Sequence, residues 1–183
     1  GNKKSSTLKC IQETKALQEP PDVWLLFAPI KKARTDFIVE KATELGAAAI
    51  FPISTDFTNS ERIRQDRLQA HAIEATEQCG GTYVPTVHDL QKLATVLDQW
   101  PHDRNLLYCD ECLVGTATEF SALPSGKWAI LIGPEGGFSD RERTKISNMQ
   151  QSFPVSLGPR ILRADTAAVA ALSLWQEHLG DWC

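Results

Sequence analysis

Two apolar runs, each breaking into a Gly- and Pro-rich loop and then entering a helix-like segment, constrain this chain more than any other feature. The first is Leu131-Ile132-Gly133-Pro134-Glu135-Gly136-Gly137-Phe138. The second is Leu157-Gly158-Pro159-Arg160-Ile161-Leu162-Arg163-Ala164-Asp165-Thr166-Ala167. An apolar run of strand length that stops at Gly and Pro reads as the C-terminal end of a buried parallel strand. Glycine lets main-chain amides and carbonyls approach a ligand with no Cβ in the way, and proline holds φ so that the loop does not collapse. The expected product is a ligand cleft at strand C-termini, lined largely by main chain.

The rest of the chain supplies the sheet for those loops. Residues 23–30 form a continuous apolar run of strand length. Residues 31–45 follow with helical spacing, placing Phe37, Ile38, Lys41, Ala42 and Leu45 on one side and Gly46 as a stop. A strand over 47–54 leads to an amphipathic helix over 61–79, in which Ile63, Leu68, His71, Ala72, Ala75 and Cys79 recur at helical intervals before Gly80-Gly81. Residues 83–87 read as a short strand that Pro85 confines to an edge. Asp89 is expected to cap a helix over 90–100. Strands follow over 105–109 and 127–132, with 116–124 ambiguous between them. Ser139, with Glu142 three residues on, makes a capping box for a helix to about residue 150. A strand over 155–157 feeds the second loop, and the last helix, from 163 or 165 to 179, carries a small-residue face of Ala167, Ala168, Ala171, Leu172 and Trp175. Alternating strands and helices predict an α/β fold with a parallel sheet covered on both faces.

With 183 residues, 42% of them hydrophobic, the chain suits one domain with a substantial core. Residues 1–22 read as a linker or remnant. A short strand is conceivable over 7–11, but the stretch after it is polar and ends in Pro20-Pro21. Residues 23–183 form the folded domain. The chain has no run of about 18 apolar residues, and the polar start Gly1-Asn2-Lys3-Lys4-Ser5-Ser6 lacks the apolar core of a signal peptide, so a cytoplasmic location and no membrane partner are expected. Five cysteines, an odd number, fit a reducing compartment. A net charge of −4 opposes a broad non-specific polyanion surface.

Cys109-Asp110-Glu111-Cys112 has CxxC spacing but lacks a second Cys/His pair to complete a zinc site, so no metal is expected. His71 and His88 read as structural or surface histidines. Lys31, Lys32, Arg34, Arg62, Arg64 and Arg67 read as mostly solvated charge, with phosphate contact the alternative. Trp175 and Trp182 read as packing residues. Glu135 is either a carboxylate at a helix end or a neighbour of the ligand. Arg163 stands at the positive end of the last helix, where a cation needs an anionic partner, which makes it a functional candidate. Asp165 and Thr166 can cap that helix, and such a role is compatible with a place in the site.

The motifs LIGPEGGFSDRE at 131–142 and LGPRILRADTA at 157–167, preceded by VEKATELGAAAIFP at 39–52 and IEATEQCG at 73–80, resemble the bacterial RsmE-type family. These are ribosomal RNA methyltransferases of the SPOUT superfamily that methylate uridine N3 in small-subunit rRNA. The resemblance covers about residues 23–180. It implies S-adenosylmethionine as methyl donor, a homodimer, and a C-terminal trefoil knot, an exception to the rule that chains do not thread loops. It further implies an N-terminal PUA-like RNA-binding domain, of which residues 1–22 would be at most the last strand and linker. Under it, the cofactor-binding residues are Leu131, Ile132, Gly133, Glu135, Gly136, Gly137, Leu157, Gly158, Ile161, Leu162, Arg163 and Thr166, and the catalytic residues are Arg163 and Asp165. Arg163 would stabilise charge on the uracil oxygens. Asp165 would take the N3 proton or orient Arg163. Gly81 departs from the pattern, since the family more often has Gly-Arg at that place. The rival reading is an inactive RNA-binding or ribosome-assembly module of the same fold. A nucleotide hydrolase is opposed by the absence of a Gly-Lys-Ser/Thr phosphate loop.

Overall fold

The computed structural model describes residues 7–59, 62–115 and 119–182. The polar start at residues 1–6, Glu61 as the first residue of a helix, and part of the ambiguous stretch at 116–124 lie outside the described residues. Seven strands form one sheet: β1 (Val23–Phe27), β2 (Ala49–Ser54), β3 (Thr86–Val87), β4 (Gln91–Lys92), β5 (Arg104–Cys109), β6 (Lys127–Ile132) and β7 (Ser152–Val155). The order across the sheet is β3-β2-β1-β6-β5-β7, with β4 also paired to β2. Every ladder is parallel. All strand C-termini therefore open on one side, where the Gly-rich loops lie.

Among the described residues, five α-helices cover the sheet: α1 (Lys32–Glu44), α2 (Gln65–Cys79), α3 (Leu93–Asp98), α4 (Asp140–Ser147) and α5 (Ala164–Leu179). Alternation along each strand divides the core in two. Val23, Leu25 and Phe27 of β1 and Trp128, Ile130 and Ile132 of β6 face α1, α2 and α5. Leu26, Ala129 and Leu131 point the other way, to Leu93 and Leu97 of α3 and Ile146 of α4. Each buried Leu or Ile contributes about 1.5–3 kcal/mol relative to exposure. The small residues Ala164, Ala168 and Ala171 let α5 settle onto β6 and α1, with Trp175 buried beside them. That face of α5 is thus consumed inside the chain.

Several local expectations are corrected by tertiary pairing. No strand forms over 7–11, where every residue is exposed, although this segment is tied down further on by Lys15 Nζ to the Gly80 carbonyl at 2.7 Å and Gln18 N–H to Thr82 Oγ1 at 2.8 Å. The expected helix at 90–100 gives up its first turn: Gln91 and Lys92 pair with Ile53 and Ser54 instead, Lys92 is the residue before α3, and Asp89 does not cap it. β3 and β4 are one edge strand broken opposite Pro52, which has no N–H to offer the ladder. β7 runs over Ser152–Val155, earlier than expected, because 152–155 match Leu106–Cys109 of β5 and its Pro154 is tolerated at the edge. Leu157 is left to the loop.

The helix faces are also rotated relative to a simple count. In α1 the buried residues are Thr35, Ile38, Val39, Ala42 and Thr43, while Phe37 is exposed under Lys41 Nζ. Arg34 and Arg67 are paired as well as partly solvated: Arg34 pairs with Asp165 and Arg67 with Asp36. His71 Nδ1 lies 2.9 Å from Glu40, and His88 stacks on Phe51 at 3.9 Å. Trp182 is exposed and not a packing residue. Gly80 ends α2 in the left-handed region, and Gly81 borders a recess beside residues 18–20, away from the strand-end loops. The capping box forms as expected, with Ser139 Oγ accepting from Glu142 N and Glu142 accepting from Ser139 N.

Candidate active site

A cleft opens over the C-terminal ends of β5, β6 and β7, beside the start of α5. The first loop contributes Ile132, Gly133, Glu135 and Gly137 to its wall, and the second contributes Leu157, Ile161, Leu162 and Arg163. Five expected residues do not line it. Leu131 packs on the opposite face of the sheet among Tyr108, Phe138 and Ile146. Gly136 lies against Phe57. Gly158, Asp165 and Thr166 are not among the lining residues.

Both loops are shaped by close packing as much as by access to a ligand. A Cβ on Gly133 would lie 2.8 Å from the Phe138 ring, so the missing side chain there lets Phe138 fold under its own loop. Gly137 N–H closes that turn on the Pro134 carbonyl at 2.9 Å. In the second loop, Gly158 has φ of 111°, a conformation that L side chains rarely adopt. Its carbonyl accepts from Gly115 N–H at 3.2 Å, which pins the second loop to the segment after β5.

The charged groups fall into two sets. In the first, Arg163 precedes α5, is exposed, and makes no ion pair among the described residues. The buried Asp165 carboxylate is bound by Arg34 through Oδ2, and its Oδ1 accepts from Thr166 N–H at 3.0 Å. Asp165 therefore takes its charge partner from α1 and does not engage Arg163. Neither Asp165 nor Thr166 is the capping residue, a position that Arg163 occupies without a side-chain bond.

The second set was not legible as a site in the sequence. Asp110 and Glu111, at the end of β5, line the cleft together with Arg143 from α4. Asp110 accepts from Cys112 N–H at 3.0 Å and is paired with Arg143 Nη1. Arg143 also donates to Cys112 Sγ at 3.0 Å, to Glu111 Oε1 at 3.2 Å and to the Phe138 carbonyl at 3.1 Å. Burial opposes the charge on both partners, yet their contact outweighs it. The Asp110 carboxyl, also held by the Cys112 amide, lies below its ordinary value and the Arg143 guanidinium above its own. Burial pushes the Cys109 thiol well up, which disfavours the reactive thiolate. The signal that could have located this set is position: Asp110 and Glu111 follow a strand just as the two Gly-rich loops do. No group of three or more His, Cys, Asp or Glu able to hold a metal occurs among the described residues.

A seven-stranded parallel sheet between helices, with a cleft at its strand ends, is an architecture shared with solved structures of the SPOUT-type methyltransferase fold. The chain matches the RNA methyltransferase domain family over residues 18–176 and belongs to it. A Rickettsia conorii protein named ribosomal RNA small subunit methyltransferase E is 32% identical over 153 residues, covering 81% of this chain and 62% of its own length. The Bacillus subtilis protein of that name is 30% identical over 174 residues, covering 84% and 65%. The crystal structure of ribosomal RNA small subunit methyltransferase E from Neisseria gonorrhoeae bound to S-adenosyl methionine has a TM-score of 0.84 at 30% identity, covering 93% of this chain and 72% of that one. The chain thus spans less than two thirds of the length of these two curated relatives.

Proposed function

We propose that this chain carries out S-adenosylmethionine-dependent methylation of uridine N3 in small-subunit ribosomal RNA. The observation that carries the reading is the meeting of both Gly-rich loops in one cleft at the strand ends, in a chain of the RNA methyltransferase domain family. The residues present fit the cofactor. Ile132, Val155, Leu157, Leu162, Ala164 and Ala167 offer an apolar wall for an adenine ring. When bound, the cofactor supplies an electrophilic methyl group.

This chain's own residues have two tasks. Uracil N3 is a poor nucleophile until its proton leaves, so charge that develops on the uracil oxygens needs a cation. Arg163, which lines the cleft and has no ion partner among the described residues, is the candidate to supply it. Its guanidinium also stands at the positive end of α5, where a neighbouring anion relieves the repulsion. Asp165 is the candidate proton acceptor: each of its oxygens already holds one partner, Arg34 or the Thr166 amide, and keeps a further lone pair for a proton. The methyl transfer itself depends on holding N3 in line with the methyl carbon.

The working unit of this reading is a cytoplasmic homodimer with a C-terminal trefoil knot. Support for an added subunit comes from Ile161, an apolar residue of the cleft wall that is 70% exposed in the single chain. No described helix is long and apolar enough to cross a membrane. The test is calorimetry with S-adenosylmethionine followed by transfer of labelled methyl to small-subunit rRNA, with the product nucleoside identified by mass spectrometry. Binding followed by 3-methyluridine supports the reading. Binding without transfer to any rRNA supports an inactive module of the same fold, and no binding rejects the cofactor assignment.

A further inference from the structure

The turn after β5 presents a carboxylate to the cleft in a built setting. Asp110 caps that turn by accepting from Cys112 N–H, which sets the direction in which the next residue, Glu111, leaves the backbone. Arg143 reaches from α4, on the other face of the sheet, and holds Asp110, Glu111 and the Phe138 carbonyl with one guanidinium. The turn after β5 and the Gly-rich loop after β6 are thereby locked together. Glu111 Oε1 lies over Gly137, in the space that a Cβ there would enter, so this glycine leaves room for the carboxylate in its present position. Glu111 Oε2 accepts from no described group, and the side chain is 39% exposed to the cleft.

A carboxylate only accepts hydrogen bonds, so whatever meets Glu111 must bring donors. S-adenosylmethionine offers three kinds: the adenine amino group, the vicinal ribose hydroxyls and the α-ammonium. The apolar wall suits the flat ring and leaves the other two. Arg143 shares the charge of Glu111, which weakens its pull on a cation while leaving lone pairs for hydroxyls, and the two oxygens of a carboxylate match the spacing of a vicinal diol. We propose that Glu111 accepts hydrogen bonds from the ribose hydroxyls of the cofactor, with Arg143 as its positioning residue. This assignment rests on the cofactor reading above.

The experiment measures affinity by calorimetry for S-adenosylmethionine, for 5′-methylthioadenosine, which keeps the diol but lacks the ammonium and the sulfonium, and for the 2′-deoxy form of the latter. Glu111→Gln keeps size and shape. It is expected to weaken the first two ligands alike, by about tenfold, and to abolish the preference for 5′-methylthioadenosine over its 2′-deoxy form. Arg143→Ala is expected to cause a similar loss, with no further loss in the double variant, because the two residues act in series. Arg143→Lys should not restore affinity, since an ammonium cannot span these acceptors. A loss confined to S-adenosylmethionine would put Glu111 against a cation and overturn the assignment, as would unchanged affinity in Glu111→Gln. Wild-type protein that binds none of the three would reject the cofactor reading itself, and this assignment with it.

Discussion

Arg34, in the first turn of α1, donates from Nη1 to Oδ2 of Asp165 in the first turn of α5, joining residues 131 apart in the chain. The pair ties the first helix of the domain to the helix that follows the second Gly-rich loop. It also sets what Asp165 can do, because each carboxylate oxygen already holds one partner and has only its remaining lone pair to offer a proton.

Removing the cation from this pair should therefore be felt at the site. Arg34→Ala is expected to lower stability by only about 1 kcal/mol, because the Arg34 side chain is partly open to solvent and the contact is screened. Asp165→Asn keeps the shape but cannot accept a proton. If Asp165 is the base, the Asn variant loses turnover at all pH values while cofactor affinity holds. If turnover persists, Asp165 only fixes α5, and the proton leaves to another group. Single-turnover rates across pH distinguish the two.

Arg163→Ala is expected to reduce kcat more than it weakens S-adenosylmethionine binding, since an interaction made mainly in the transition state acts on the rate constant. Arg163→Lys should restore the activity only in part, because a planar guanidinium can bridge two acceptors. Equal losses in kcat and cofactor affinity would instead assign Arg163 to cofactor binding. Steady-state kinetics paired with calorimetry reads both quantities.

The two loop glycines should fail differently. Gly133→Ala forces the Phe138 ring to move and is expected to cost about 1–3 kcal/mol through overpacking, seen as a lower Tm. Gly158→Ala meets no atom but strains the backbone at its positive φ, at a cost of about 1–3 kcal/mol. Only the first should change the near-ultraviolet signal of the Phe138–Tyr108 packing, where the rings are 5.3 Å apart. A Gly133→Ala protein with wild-type Tm would remove the packing explanation.

Acid should act through Asp110. Its carboxyl is held below the ordinary 3.8 by the Cys112 amide and Arg143 against the opposing effect of burial, so its contribution is present above that value and is lost as pH falls through the lower, folded one. Asp110→Asn is expected to be less stable than wild type at pH 7, with the gap closing below about pH 4. Thermal melts between pH 7 and pH 2.5 check this. A constant gap across the range would show that the pair contributes no proton linkage.

Thiol chemistry should separate the two cysteines of the CxxC stretch. Cys109 is half-buried at the cleft wall and its thiol is pushed up by burial, whereas Cys112 is exposed. Alkylation of the native protein is expected to mark Cys10, Cys79 and Cys112 and to spare Cys109 until the protein unfolds. Rapid labelling of Cys109 at neutral pH, read by peptide mass spectrometry, would contradict a thiol held up by burial.

What the sequence alone determined lies where local chemistry and global fold agree. The strand at 127–132 and the capping box at Ser139 and Glu142 were legible because a continuous apolar run and a capping pattern each have one good local solution. The two Gly-rich loops were legible as cleft walls because Gly and Pro punctuate strand ends. Tertiary structure alone decided the rest. Gln91 and Lys92 left a helix because β2 offered them a ladder, and β7 began at Ser152 because β5 set its register. Leu131 turned from the cleft because the pleat sends alternate residues to opposite faces. The charge partners were beyond reach of any local pattern: Arg34 with Asp165, and Arg143 with Asp110 and Glu111, come from segments distant in sequence. Such pairs have no periodic or compositional signature, because what brings them together is the packing of α1 and α5 on one face of the sheet and α4 on the other.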